Sequence, residues 1–272
     1  MKLIHALKLP LKYLLIWYML QFCLSFIIGS FIGFILPYNV VPKSLTTIVG
    51  ILCKISALYI YIPLLKNEYE NENLNAILKV NKLSLKNIII ISIFAIALTF
   101  CDSLLCITSL KLINTFTTYT GYNKITAFAQ LAKSSYLALF NLIIISPIFE
   151  EILFRGMIFN SLKKNIDIVV AIVLQAFIFS VVHGNIIQFI YAFLGGIIYG
   201  IIYFKTNSLV APMLMHIIGN FVGIIGINFV SNNLHNYIWI IYCISIMTAI
   251  ISFIWIMRIN SNNKSKCTSS IK

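Results

Sequence analysis

Runs of roughly 20 apolar residues alternate along this chain with short polar and basic connections, and that is the length needed to cross a bilayer. Eight such runs stand out, at about 14–36, 45–65, 88–110, 135–162, 167–183, 186–204, 208–230 and 237–257. The longest polar connection, KNEYENENLNAILKVNKLSLKN (66–87), reads as a short amphipathic or surface segment. A second, at 111–133, separates the third and fourth runs, and the final NSNNKSKCTSSIK reads as a disordered polar tail. No internal repeat is visible. The pattern predicts an all-α polytopic integral membrane protein with about eight transmembrane helices.

Composition agrees. Of 272 residues, 60% are hydrophobic and only 10% charged, with a mean hydropathy of +0.97. A soluble domain of this length does not need so much apolar surface. The net charge of +13 raises nucleic acid as a partner, but the basic residues form no patch with interleaved aromatics. They sit between the runs and set orientation instead. With the N-terminus inside, inner segments hold about fourteen Lys and Arg and outer segments about four. The expectation is a multi-pass protein of the cell membrane with both termini cytoplasmic, the lipid bilayer as its surroundings and no nucleic-acid partner. The basic-then-apolar N-terminus runs too long for a signal peptide and reads as a retained first span. Six scattered cysteines form no CxxC pair and read as small hydrophobes.

Charges inside the runs are costly, about 2.5–3.5 kcal/mol each on insertion scales, and persist where they have partners or a job. Lys54 and Asp102 fall at nearly one depth on the second and third runs, and are expected to form a structural ion pair. The other intramembrane polar groups fall into three short motifs. In Glu150-Glu151-Ile-Leu-Phe-Arg155, Glu151 and Arg155 are four apart and share a helix face, whereas Glu150 is turned about 100° away. Pro147 breaks a backbone hydrogen bond just before them. Phe179-Ser-Val-Val-His183 is followed by the helix stop Gly184-Asn185. His216-Ile-Ile-Gly-Asn220 puts two polar side chains on one face, with Pro212 one turn earlier. Depths of about 12–24 Å from the inner ends of their runs let these groups meet near the bilayer midplane. The intervening run carries Gly195, Gly196 and Gly200, whose small-xxx-small spacing permits close backbone approach.

EExxxR, FxxxH and HxxxN in this order on successive spans resemble the CPBP family of intramembrane glutamic endopeptidases, the CAAX-protease and bacteriocin-processing (Abi) proteins. FLGGIIYGIIYFKTNSLVAPMLMHIIGN (193–220) fits that family's glycine and Ser-Leu-xx-Pro pattern as well. The resemblance covers roughly 135–225. It divides the chain into an N-terminal transmembrane region (1–134), a protease core (135–225), and a last transmembrane helix with a polar cytoplasmic tail (226–272).

The resemblance implies peptide-bond hydrolysis in a membrane-associated protein or peptide. Glu150 would be the general base on a water that His183 helps to hold. His216 and Asn220 would donate to the oxyanion, while Glu151 and Arg155 position the helix or the substrate. No cofactor is expected. The alternative is zinc on Glu150, His183 and His216, although HExxH is absent and Asn220 suits an oxyanion hole better than a metal. Two other functions fit the same residues. One is a non-catalytic bacteriocin-immunity or scaffold protein of the family. The other is a transporter with an ion site, disfavoured by the lack of paired broken helices in two halves.

Overall fold

The computed structural model describes residues 2–35, 43–70, 72–116, 135–226 and 235–259. Every regular element among them is helical. The succession is α1 (Lys2–Ile35), α2 (Lys43–Glu68), the short α3 (Leu74–Leu78), α4 (Leu85–Phe116), α5 (Tyr136–Leu162), α6 (Ile168–Val181), α7 (Ile186–Thr206), α8 (Val210–Phe221, extended by a π turn to Gly226) and α9 (Ile238–Met257). The chain is an all-α, multi-pass membrane protein.

All eight predicted runs appear as apolar helices, but unequally. Six are long and apolar enough to cross a membrane, whereas Ile168–Val181 and Val210–Ile224 are shorter. With 14 residues, α6 rises only about 21 Å against a hydrocarbon core of about 30 Å. Local chemistry sets its ends. The Asp167 carboxylate accepts from Val169 N at the start, and Gly184, at φ +63°, turns the chain out at the finish. The Asn185 side chain then accepts from Ile187 N and Gln188 N to open α7.

Lipid tails are as apolar as leucine, so helix association here rests on close packing and interhelical hydrogen bonds. Two clusters result. One joins α1, α2 and α3 to α5, α6 and α7 through Tyr13, Tyr61, Phe149, Phe154, Phe159 and Tyr203. In it the Tyr61 hydroxyl donates to Tyr13 O at 2.7 Å, and Trp17 lies 5.4 Å from Phe149, ring to ring. The other joins α4 to α7, α8 and α9 through Ile91, Phe94, Ile202, Met215 and Ile256.

The tightest approach is between α6 and α7. A Cβ on Gly196 would stand 3.0 Å from Ala176 Cβ and 3.1 Å from its Cα, so the obstacle is backbone and cannot swing away. Gly196→Ala should therefore cost about 1–3 kcal/mol through overpacking, read as a lower melting temperature in detergent. Gly195, with nothing within 4 Å of the same position, should accept alanine without loss.

The 66–87 connection does more than cover a surface. Asn160 Nδ2 donates to Ile77 O at 3.0 Å and to the Tyr203 hydroxyl at 2.8 Å. Leu209 N donates to Lys79 O at 2.9 Å, and Asn81 Nδ2 to Asn207 O at 2.6 Å. The Lys79 ammonium donates to Asn207 Oδ1, and the Ser208 hydroxyl to Asn81 O. These bonds fasten α3 and the residues after it to the α7–α8 corner.

Lys163, just beyond α5, lies beneath this latch with its ammonium 5.5 Å from the Phe159 ring centre. Burial, and then the neighbouring Lys79 and Lys164, push its pKa down to about 7. Because the folded value lies below the unfolded 10.5, the unfolded state binds the extra proton between these limits. Stability should rise as pH increases from about 7 towards 10.5, with the penalty fully present below 7. Lys163→Met should flatten that rise in melting curves recorded across the window.

One expected contact is absent. Lys54 and Asp102 form no ion pair. The Lys54 ammonium donates to Asn141 Oδ1 on α5 at 3.4 Å, while Asp102 shares its surroundings with Cys101, Cys106, Tyr191 and Tyr199. The reason is lateral position. Helix α2 packs on α1 and α5, while α4 packs on α9, α8 and α7, so equal depth does not make the two residues neighbours.

Candidate active site

Helix α5 carries the first motif, and its hydrogen-bonding register widens from α to π twice. Asn141–Ile145 and Ile152–Phe159 are π-helical, and the α-helical turn Ser146–Glu151 lies between them. Proline at 147 has no N–H to give the ladder, and Ser146 N bonds back to Asn141 O. Wide π turns of this kind cluster at functional sites. Here they bracket the two glutamates and rotate the residues on either side relative to a uniform α-helix.

Glu151 and Arg155 are both 0% exposed and form an ion pair at 2.9 Å. The guanidinium also donates to Gly196 O at 3.3 Å, an acceptor shared with Gln175 Nε2 at 2.8 Å. It lies 4.6 Å from the Phe179 ring centre and 5.2 Å from that of Tyr199. The close α6–α7 approach at Gly196 thus brings a carbonyl within reach of an intramembrane arginine. Gln175, Phe179 and Tyr199 complete that surround. The sequence showed none of these roles, because a lone glutamine or tyrosine in an apolar run has no spacing signature.

The structure brings His216 to the same carboxylate. Its Nδ1 lies 2.8 Å from Glu151 Oε1, and its Nε2 lies 3.8 Å from Glu150 Oε2. The second distance is too long for a hydrogen bond. Glu150 keeps 20% of its side chain exposed and, among the described residues, makes no hydrogen bond like those of Glu151. His183, just past the end of α6, places Nδ1 2.7 Å from Phe179 O. Its ring packs edge-on to Phe179 at 4.7 Å, and Phe179 in turn meets His216 at 6.1 Å. His183 lies within the electrostatic reach of both Glu150 and His216.

These contacts fix the tautomers. A carbonyl only accepts, so His183 carries its proton on Nδ1 and presents a lone pair at Nε2. The Glu151 carboxylate likewise places the His216 proton on Nδ1. Neutral His216 therefore offers an acceptor at Nε2, and donates there only as imidazolium.

Asn220 sits one turn further along α8. One N–H of its amide donates to Leu142 O at 2.7 Å in the first π segment, and the second has no acceptor among the described residues. Lys54 reaches the cluster from α2: its partner Asn141 also accepts from the Ser146 hydroxyl, and Glu150 is the acidic group acting on it.

Among the described residues, no three His, Cys, Asp or Glu side chains converge in a metal-holding group. Both histidines engage protein acceptors through Nδ1, which leaves Nε2 of each open to a water or another ligand.

Residues 132–222 match the family model of the type II CAAX prenyl endopeptidase Rce1-like proteins. A curated relative is the membrane-embedded CAAX protease MroQ of Staphylococcus aureus (strain USA300), 31% identical over 97 residues. That match covers 33% of this chain and 39% of the relative, so it spans about two-fifths of the relative's length. No solved structure matches the chain.

Proposed function

We propose that this chain, whose segment 132–222 matches the type II CAAX prenyl endopeptidase Rce1-like family, is an intramembrane endopeptidase that hydrolyses a membrane-associated protein or peptide. The observation that carries the reading is the pairing of unlike glutamates. Glu151 is tied to Arg155 and His216, while Glu150 faces the same histidine across an unbonded 3.8 Å. One water can donate to Glu150 Oε2 and to His183 Nε2 together. Glu150 takes its proton as the hydroxide oxygen attacks the scissile carbonyl. His216, in the imidazolium form that alone donates at Nε2, and the second N–H of Asn220 then face the oxyanion, and Glu150 returns the proton to the leaving amine. No step is routed through a metal. Both termini are placed on the cytoplasmic side by the lysine bias.

Comparing the membrane peptides of cells that produce the wild type or Glu150→Ala tests this reading. New peptide termini that depend on Glu150 support the enzyme. Identical termini, with any protection against a bacteriocin intact in both strains, would favour the scaffold instead.

A further inference from the structure

Away from the site, α4 and α9 pack side by side but leave a groove of about 540 Å³ between them. Ile89, Ile90 and Ile93 of α4 and Ile251 of α9 line it. From Leu85 to Ile93 the helix rises about 12 Å, so the groove is a slot rather than a dimple. It lies where α4 begins and α9 ends, and its mouth is built from Lys86 and Trp255. The ammonium sits 4.5 Å from the indole ring centre, which stations a cation there. Lys82 precedes α4 by three residues, and Arg258 caps α9. No acidic residue occurs from 73 to 101 or after 167. The slot is apolar and the charges supplied by its two helices at the mouth are all positive.

We propose that this slot binds an anionic glycerophospholipid, with one acyl chain against the isoleucines and the headgroup phosphate at Lys86. Basic pockets between transmembrane helices suit acidic headgroups, and indoles suit the headgroup level. An extended peptide fits poorly. Beyond Lys86, the lining offers the Ser252 hydroxyl and the Trp255 indole N–H, so most of the peptide's backbone polar groups would go unpaired in hydrocarbon. A second copy of this chain would bring further positive charge, and a zwitterionic lipid brings a cation to a cationic rim. The bound lipid would brace α4, which packs against α8, the helix bearing His216 and Asn220.

The test is mass spectrometry of the intact full-length protein released from detergent micelles. It is titrated with phosphatidylglycerol or with phosphatidylcholine of the same acyl chains. Wild type should retain phosphatidylglycerol preferentially. Lys86→Gln should weaken that retention about five-fold, the effect of one lysine near a headgroup. Ile251→Trp, which fills the slot, should also lower retention, while both variants melt like wild type in lipid-free detergent. Equal retention of the two lipids overturns the proposal. So does unchanged retention in either variant, which would leave only headgroup attraction to the surface or only non-specific apolar adsorption.

Discussion

Glu150→Gln should abolish peptide cleavage while leaving the protein folded and inserted at wild-type yield. The substitution is nearly isosteric, and Glu150 is one-fifth exposed with its nearest histidine nitrogen 3.8 Å away. Among the described residues, losing its charge breaks no hydrogen bond, and Lys54, on which that charge acts, keeps Asn141 as its acceptor. An amide cannot accept the proton of the attacking water, so the expected fall in kcat is 10²–10⁴-fold or more. Cleavage of one identified substrate and melting temperature, measured in a single detergent, decide the matter. An active Glu150→Gln protein would overturn the assignment. On the same preparations, a chelator should leave the wild-type rate unchanged, and stoichiometric bound zinc would revive the metal alternative.

The neighbouring carboxylate should behave in the opposite way. Glu151→Gln leaves Arg155 charged at 0% exposure, and breaking a buried pair by removing one partner costs about 3–5 kcal/mol. At roughly 2–4 °C per kcal/mol for a chain of this order, the melting temperature should fall by roughly 6–20 °C. Arg155→Met leaves Glu151 with His216 as its remaining partner and should lower the melting temperature by less. The double substitution Glu151→Gln/Arg155→Met should recover much of the loss, because neither charge is left alone. It should not recover activity, since His216 has still lost the carboxylate that holds its Nδ1 proton. Recovery of both stability and rate would mean that Glu151 serves only to neutralise the arginine.

What could be read from the sequence was what is local. Glu151 and Arg155 are one helical turn apart, so their pairing follows from helix geometry alone. The helix stop at Gly184-Asn185 needed only turn chemistry. Depth was also legible, because it counts residues from a span's end, and it correctly assembled His216 and the glutamates from helices 65 residues apart. Direction around a helix axis was not. Lys54 and Asp102 shared a depth but faced different neighbours, and nothing in an apolar run records which helices flank it. The two π segments were equally hidden. Pro147 announced a disturbed ladder, but its extent depends on packing across α8, where Asn220 bonds the Leu142 carbonyl. The latch at 77–81 and 207–209 joins backbone to side chain across more than 120 residues and left only an ordinary polar loop in the sequence.

The short reach of α6 bears on the solvent around the protein. Membrane thickness yields more readily than a helix stretches, at fractions of a kcal/mol per ångström of mismatch. The leaflets beside α6 are therefore expected to pinch inwards. Such a dimple would lie next to His183, just past the end of α6, and would shorten the hydrocarbon path that a water molecule must cross to reach the proposed site.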